Sequence, residues 1–464
     1  MVHQCNFSPA CTASPRRTAS PRRTASPRRR EQYPPSGGGG PTQCTPSVDG
    51  MSESTAPPTP APATGPTSRR DRALAPDVAR GLVLLGIAVA NVPFLLWGRE
   101  VGLLFKPVTD APADPWVNAA VALLADNRSY PLFALLFGYG LTQILSREHA
   151  RGTEWRGVRR LLVSRNLWLI AFGAAHGVLL FFGDILGAYG LLGLALVLLI
   201  RVSGKVLAIV GWISFGVLAI TGFAEGLTGL LGKAGGVEAG LVAFSSPGAD
   251  TYLLATLQRA LEWSLGLLAI PFGGFGLLAP MILGMWAARR RMLEEPARHR
   301  RALGLMAGIG VPVSLLGALP MSLALLGVWE PGILGEPFIA MLHVVTGAIG
   351  GAGYVALIAL IVGGAGTGGP ISRLFAALGQ RSLSGYLTQS VVFLILFAPY
   401  TLGLGGVVSV AEATQIAVLT WLGTLIIAGV LGAVDKPGPA EWLYRRIVYR
   451  RRPALPAPAP EVPR

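Results

Sequence analysis

The feature that most constrains this chain is a series of ten apolar runs bounded by charged residues, which begins after Arg80 and ends at Asp435. A helix needs about 20 apolar residues to cross a bilayer core about 30 Å thick, and these runs are of that order. Only 14% of the 464 residues are charged, whereas a soluble domain averages about 25%. The sequence therefore predicts an all-α polytopic integral membrane protein with about ten transmembrane helices.

The charged residues also give the bounds of the predicted spans. In chain order, the spans are Gly81–Gly98, Ser129–Ser146, the stretch between Arg165 and Asp184, Ile185–Ile200, the stretches between Lys205 and Glu225, between Glu262 and Arg289 and between Arg301 and Glu330, a span within Pro337–Gly364, one near Leu383–Leu402, and one between Glu412 and Asp435.

The distribution of basic residues predicts the orientation of these spans. Ten spans place both termini on one side of the membrane, and that side then holds 34 of the 39 Lys and Arg residues. Cytoplasmic loops carry an excess of Lys and Arg, so both termini are predicted to be cytoplasmic. Because these residues sit between apolar runs, they indicate topology rather than a nucleic-acid-binding surface. The opposite side has only five: Arg99, Lys106, Arg128, Lys233 and Arg259.

The first part of the chain, residues 1–68, has a composition unlike the rest. It is rich in Pro, Ser, Thr, Gly and Arg, and three copies of Thr-Ala-Ser-Pro-Arg-Arg run from Thr12 to Arg29. Such a segment cannot bury a core, which predicts a disordered tail. Two interpretations stay open: a basic arm that touches anionic lipid or RNA, or a segment preceding a native start at Met51. All three cysteines lie here, so no disulfide or cysteine metal site is expected in the apolar body.

Several stretches of the remaining chain form a specific combination, namely Asp77–Ile87, Tyr130–Gly140, Ala175–Gly190, Leu283–Met285, Gly379–Ser390 and Gly438–Arg446. Together they resemble the YeiB-like family of bacterial membrane proteins, whose C-terminal half is a domain of unknown function. The resemblance extends from Arg72 to Arg452; it divides the body into an N-terminal membrane half at 69–285 and a half at 286–452 that resembles the family's domain. A Pro-rich tail follows at 453–464. The resemblance implies location in the bacterial inner membrane but no established activity. The chain departs from the family pattern at Ala134, Ser384 and Gly385.

The motif Asp77-x-x-Arg80-Gly81 is also similar, more distantly, to that of heparan-acetyltransferase-like transmembrane acyltransferases. This similarity implies that Arg80 holds the phosphate of a cytoplasmic acyl donor such as acyl-CoA, and a guanidinium group suits phosphate geometry. Arg381 is predicted to contribute to the same donor site. The alternative for Arg80 is a helix-surface ion pair with Asp77, worth a few tenths of a kcal/mol. No permanently bound cofactor is expected.

His176 and Asp184 are the candidate catalytic residues, because ionisable groups inside a membrane are costly and are often functional. Eight residues along a helix are about 12 Å, so the two side chains are expected to share one cavity without bonding directly. His176 is predicted to be a general base; the alternative is a neutral histidine that donates to a carbonyl group. Asp184 can instead be the N-cap of the fourth span.

Other polar residues of the apolar body have less to support a function. His343 is expected to be a packed core residue, and Asn91, Gln143 and Gln389 to be interhelical hydrogen-bonding groups. Neither histidine has further ligands nearby, so no metal site is expected.

Two functions remain open on the sequence. The first is an integral-membrane acyltransferase that moves an acyl group from a cytoplasmic donor to a hydroxyl acceptor at the outer face. The second is a small-solute transporter or channel, for which glycine-rich, breakable spans are suited.

Overall fold

Helices make up most of the described part of the chain, which is residues 73–234, 244–364 and 368–449 of a computed structural model. Within these residues the only strand-like pairing is an isolated bridge between Val101 and Pro107, so the all-α prediction is confirmed for them. The α-helices are α1 (Leu74–Asn91), α2 (Asp114–Leu124), α3 (Ser129–Ala150), α4 (Trp155–Leu179), α5 (Ile185–Leu199), α6 (Gly204–Ala234), α7 (Tyr252–Ala269), α8 (Leu278–Arg289), α9 (Arg300–Leu325), α10 (Gly332–Gly364), α11 (Pro370–Gly379), α12 (Ser382–Phe397), α13 (Val410–Ala433) and α14 (Pro439–Tyr449).

Six described helical segments are long and apolar enough to cross a membrane. A seventh is possible if α7 and α8 form one broken span, because they meet at a 68° bend. Helices α5 and α12 are apolar but shorter. The count of ten spans and the side of each terminus therefore stay predictions. The six segments are Leu74–Leu95, Trp155–Leu179, Gly204–Leu227, Arg300–Leu325, Leu334–Gly363 and Val410–Ala433.

The outer surface of these helices carries large apolar side chains. Trp212 is 75% exposed, Leu198 71% and Ile220 69%. Isolated apolar residues are common on soluble proteins, but long helices exposing many of them are suited to contact with lipid tails.

Close helix contacts depend on small residues. α10 packs against α6 and α9, and α3 packs against α8. In the α3–α8 pair, a Cβ on Gly138 would lie 2.0 Å from the carbonyl oxygen of Met281, and one on Gly284 would lie 2.0 Å from that of Leu135. Only glycine allows the two backbones to approach this closely, as is usual between membrane helices.

The predicted tails at 1–68 and 453–464, together with Met51 as a possible native start, lie outside the described residues. All described residues belong to the unit Pro62–Arg464.

Candidate functional site

The turn between α4 and α5 brings an aspartate back beside a histidine. α4 ends at Leu179, where the amides of Leu180 and Phe181 both bond to the carbonyl oxygen of His176. The chain then reverses, and Asp184 begins α5. As a result, His176 Nδ1 lies 2.9 Å from Asp184 Oδ1, and both side chains are completely buried.

The expectation that His176 and Asp184 do not bond directly is therefore wrong. It assumed that both residues lie on one continuous helix, where eight positions span about 12 Å. The helix instead stops three residues after His176, and the turn folds Asp184 back against its last turn.

Asp184 also caps α5, which is the alternative role that the sequence predicts for it. Its Oδ2 accepts a hydrogen bond from the amide of Gly187 at 2.7 Å, which satisfies one of the unpaired amides at a helix start. The same oxygen accepts from Trp263 Nε1 at 3.3 Å. Capping and contact with His176 thus use different oxygens of one carboxylate.

The other ring nitrogen of His176 faces a serine that is distant in sequence. His176 Nε2 lies 2.8 Å from the hydroxyl oxygen of Ser390 on α12. The ring of Tyr386, one turn earlier on α12, packs 4.7 Å from the imidazole between centroids. Ser390, His176 and Asp184 therefore form one continuous hydrogen-bonded chain.

The direction of the hydrogen bonds follows from the chemistry of the three groups. An ionised carboxylate only accepts hydrogen bonds, so Nδ1 of a neutral His176 carries the proton and donates it to Asp184. Nε2 then has a free lone pair and accepts from the Ser390 hydroxyl. A hydroxyl bonded to an imidazole that a carboxylate orients is the arrangement found in serine hydrolases, which is recognised by geometry rather than by sequence position.

A small cavity gives access to this chain from the serine side. We call it the serine cavity; it is lined by Ile87, Ala88 and Asn91 of α1 and by Tyr386, Gln389 and Ser390 of α12, and apolar side chains complete it. It has room for about one water molecule. Ser390 thus belongs to its wall, while His176 is not among the lining residues and contacts the cavity through the serine.

Arg80 lies away from this cavity. Its guanidinium bonds to Asp77 at 2.9 Å and to the carbonyl oxygen of Leu136 at 3.3 Å. Ile87, the cavity residue of α1 nearest to it in sequence, is seven residues or about 10 Å further along the helix. Arg80 is thus not among the residues that line the serine cavity, and its donor-binding role stays a prediction.

Arg381 is buried at the start of α12. Its Nε and Nη2 donate to the carbonyl oxygen of Lys436, just beyond α13, at 3.1 and 2.6 Å. Its Nη1 donates to the carbonyl of Ala377 at 2.9 Å. Such bonds neutralise the carbonyl groups at helix ends. In the structure, Arg381 therefore links the start of α12 to the end of α11 and to the chain after α13. Its role in donor binding stays a prediction.

His343 is a packed core histidine in the structure. Its Nδ1 accepts from Asn127 Nδ2 at 2.7 Å, and its Nε2 donates to the carbonyl oxygen of Ala122 at 2.8 Å. Arg128, which is also fully buried, donates to the carbonyl of Ser314 and lies against the same ring. With both ring nitrogens satisfied, His343 has no nitrogen left to bind a substrate or metal.

The stretch Gly438–Arg446 contacts α12, the helix that carries Ser390, through Glu441. Glu441 of α14 accepts hydrogen bonds from the amides of Leu383 and Ser384, at 2.8 and 3.1 Å, and from the Ser384 hydroxyl. These amides belong to the first turn of α12 and have no partner within the helix. Glu441 therefore caps α12 from another element and fixes its position.

A partly buried carboxyl group, that of Glu294, lies between α8 and α9. Glu294 accepts from Gln143 at 2.6 Å and from the Tyr139 hydroxyl, both on α3. Burial raises the pKa of Glu294 from 4.5 to about 7. Among the described residues no three His, Cys, Asp or Glu side chains are grouped so as to hold a metal ion.

Comparison with known proteins bears on the predicted family. Residues 287–451 match the family described as "Protein of unknown function (DUF418)". The chain is 25% identical over 409 residues to the uncharacterized protein YxaH of Bacillus subtilis, which covers 83% of this chain and 96% of YxaH. It is 27% identical over 411 residues to the uncharacterized protein YeiB of Escherichia coli, which covers 81% of this chain and 95% of YeiB. The YeiB-like resemblance is confirmed.

The YeiB-like relatives do not supply an activity, because both carry names that state none. The similarity to transmembrane acyltransferases stays a prediction. No solved structure matches the chain.

Sequence reasoning did not select Ser390 as a site residue in this YeiB-like chain. A serine within an apolar helix is a weak signal, because its hydroxyl can bond to its own helix, and Ser390 does lie 3.3 Å from the carbonyl of Tyr386. The available signal was spacing: Tyr386, Gln389 and Ser390 lie three and four positions apart, which places three polar side chains on one helix face.

Proposed function

We propose that this YeiB-like protein is a membrane-embedded acyltransferase in which His176 is the general base. The hydrogen-bonded chain of Ser390, His176 and Asp184 is the observation that carries the proposal. Asp184 holds the imidazole in the tautomer whose Nε2 accepts a proton, and a hydroxyl lies 2.8 Å from that nitrogen. General-base catalysis requires this distance between base and hydroxyl.

The remaining predicted elements complete the proposal. The protein spans the bacterial inner membrane ten times with both termini in the cytoplasm, and the donor is an acyl-CoA-like thioester. Arg80 and Arg381 bind the donor phosphates at the α1–α11 contact, where Gly379 packs directly on the backbone of Asp77. α1 connects this end with the serine cavity, because it carries Arg80 near its start and lines the cavity with Ile87 and Asn91. A hydroxyl compound or water accepts the acyl group.

Replacement of the proposed base tests the activity. Purified full-length protein in nanodiscs is supplied with acetyl-CoA, and free CoA release is followed with and without alcohol acceptors. His176→Gln is expected to lower turnover by about 10²- to 10⁴-fold, which is the usual contribution of a general base. His149→Gln is the control, because His149 is exposed at the end of α3. Equal turnover in both variants, or no release from thioester or ester donors by the wild type, contradicts the proposal.

A small-solute transporter is the second candidate. The 68° bend between α7 and α8 favours it, because transporters place substrate sites at broken helices. Trp263 on α7 bonds to Asp184, so movement at the bend would reach the histidine. Solute uptake into proteoliposomes that persists in His176→Gln, in the absence of CoA release by the wild type, would favour the transporter.

A further inference from the structure

Ser390 has the surroundings of a nucleophile rather than of a packed serine. Its hydroxyl lies 2.8 Å from the base, and Ser390 is one of the residues that line the serine cavity. The carbonyl of Tyr386 in its own helix lies further away, at 3.3 Å, so the hydroxyl proton is better placed at His176 Nε2. Contact with an oriented imidazole on one side and with a cavity on the other is what an attacking hydroxyl requires.

The neighbouring residue offers a hydrogen-bond donor at the same cavity. Gln389 is 98% buried and lines the serine cavity, and its Nε2 has no hydrogen-bond partner among the described residues. A buried amide group without a partner destabilises the folded protein. A carbonyl oxygen in the cavity would satisfy it. The amide is thus available to stabilise negative charge that develops on such an oxygen.

We infer that Ser390 is a covalent nucleophile that carries the acyl group between donor and acceptor, and that Gln389 stabilises the oxyanion. This inference rests on the proposed acyltransferase function and adds a second chemical step to it. His176 then acts on Ser390 first and on the acceptor afterwards.

The first step transfers the acyl group to the protein. Ser390 Oγ attacks the carbonyl carbon of the thioester, and its proton moves to His176 Nε2. Negative charge forms on the carbonyl oxygen, where Gln389 donates to it. The carbon–sulfur bond then breaks, the leaving thiolate takes the proton from His176, and the acyl group remains as an ester on Ser390. Asp184 stays ionised throughout and stabilises the imidazolium.

The second step regenerates the serine. The acceptor hydroxyl, or water, gives its proton to His176 Nε2 and attacks the ester carbonyl carbon. The bond between this carbon and Ser390 Oγ breaks, and Oγ takes the proton back. The net reaction exchanges the thiol of the donor for the acceptor oxygen.

The size of the serine cavity limits the acyl group. The cavity has room for about one water molecule, and the side chains around its polar groups are apolar. A long fatty acyl chain does not fit in this space, and acetyl, as a short acyl group, displaces the lining side chains least.

A trapping experiment tests the covalent step. Full-length protein is incubated with acetyl-CoA without acceptor, quenched in acid and analysed by peptide mass spectrometry. The wild type is expected to carry one acetyl group on the peptide that contains Ser390, and Ser390→Ala is expected to lack it and to lose at least about 10²-fold in turnover. Gln389→Leu is expected to slow acetylation about 10²- to 10³-fold, as removal of one oxyanion donor does.

The matched control is Ser214→Ala. Ser214 is also a buried helical serine, and its hydroxyl bonds to the carbonyl of Val210 at 2.7 Å. This variant should keep both adduct and turnover. Ser390→Cys is a second variant for the case that Ser390→Ala misfolds, because it keeps a nucleophile of similar size. Its acetyl group would be a thioester, which neutral hydroxylamine releases.

The outcomes separate this inference from the proposed function. If Ser390→Ala turns over acetyl-CoA as the wild type does and no adduct forms, transfer is direct: the covalent inference is overturned and the acyltransferase proposal stands. If the wild type forms no adduct and shows no turnover, both fail. An adduct on a residue other than Ser390 also overturns the inference.

Discussion

At the scale of single residues, Asp184 combines two roles that one substitution can separate. Asp184→Asn retains a good helix cap if its oxygen faces the Gly187 amide. Its NH₂ group then faces His176 Nδ1 and donates to it, which forces the proton onto Nε2 and removes the base. We expect the melting temperature to change little and kcat to fall up to about 10⁴-fold, the effect of this tautomer error in serine proteases.

The measurement compares stability with turnover across two substitutions at the same position. Asp184→Ala removes both roles, so it should also lower stability by about 1 kcal/mol through loss of the cap. Wild-type kcat in Asp184→Asn would show that Asp184 is a cap and nothing more.

The sequence allowed part of this site to be predicted. His176 and Asp184 stand out because a bilayer makes ionisable groups costly. The N-cap alternative for Asp184 implied a turn before it, but their direct bond could not be predicted, because it depends on α4 ending as early as Leu179. Ser390 could not be placed beside His176, because 214 residues separate them and only tertiary packing brings α12 to α4.

At the scale of helices, the contact between α4 and α5 determines the position of Asp184. A Cβ on Gly173 would lie 2.2 Å from the backbone nitrogen of Gly187 and 2.5 Å from Asp184 Oδ2. Gly173→Ala therefore has to push α5 away, and overpacking of this kind costs about 1–3 kcal/mol. We expect a lower melting temperature and a loss of turnover together.

The control for this prediction is Gly308→Ala on α9, where an added Cβ meets nothing within 4 Å. An alanine in an open helical position gains up to about 1 kcal/mol relative to glycine. Equal stability of the Gly173 and Gly308 variants would show that α4 and α5 are less tightly packed than in the structure.

The helices themselves were largely predictable from the apolar runs, with one informative exception. The run between Glu262 and Arg289 is predicted as one span, yet it is divided between the last part of α7 and the segment Gly274–Arg289, which meet at a 68° bend. The break lies between Ala269 and Gly274 and contains Pro271, which cannot continue a helix, and Gly273, whose helix propensity is low. Hydropathy counts apolar residues and does not register this bend.

At the scale of the whole molecule, the orientation in the membrane decides which side supplies the acceptor. The Tyr252 hydroxyl donates to the carbonyl of Leu179, so the start of α7 lies at the same end of the bundle as the turn that carries Asp184. The distribution of Lys and Arg predicts that this end faces outward and that the α8–α9 connection faces the cytoplasm.

Cysteine labelling tests this orientation, because Cys5, Cys11 and Cys44 are the only cysteines and can all be replaced by serine. Asp250→Cys and Ala297→Cys then introduce single thiols at exposed positions before α7 and after α8. In intact bacterial cells, a membrane-impermeant maleimide should label the Asp250 variant alone. In permeabilised cells, it should label both variants. If intact cells label Ala297→Cys alone, the protein has the opposite orientation in the membrane. The acceptor would then reach His176 from the cytoplasm, the same side as acyl-CoA, and acyl transfer would no longer require passage across the membrane.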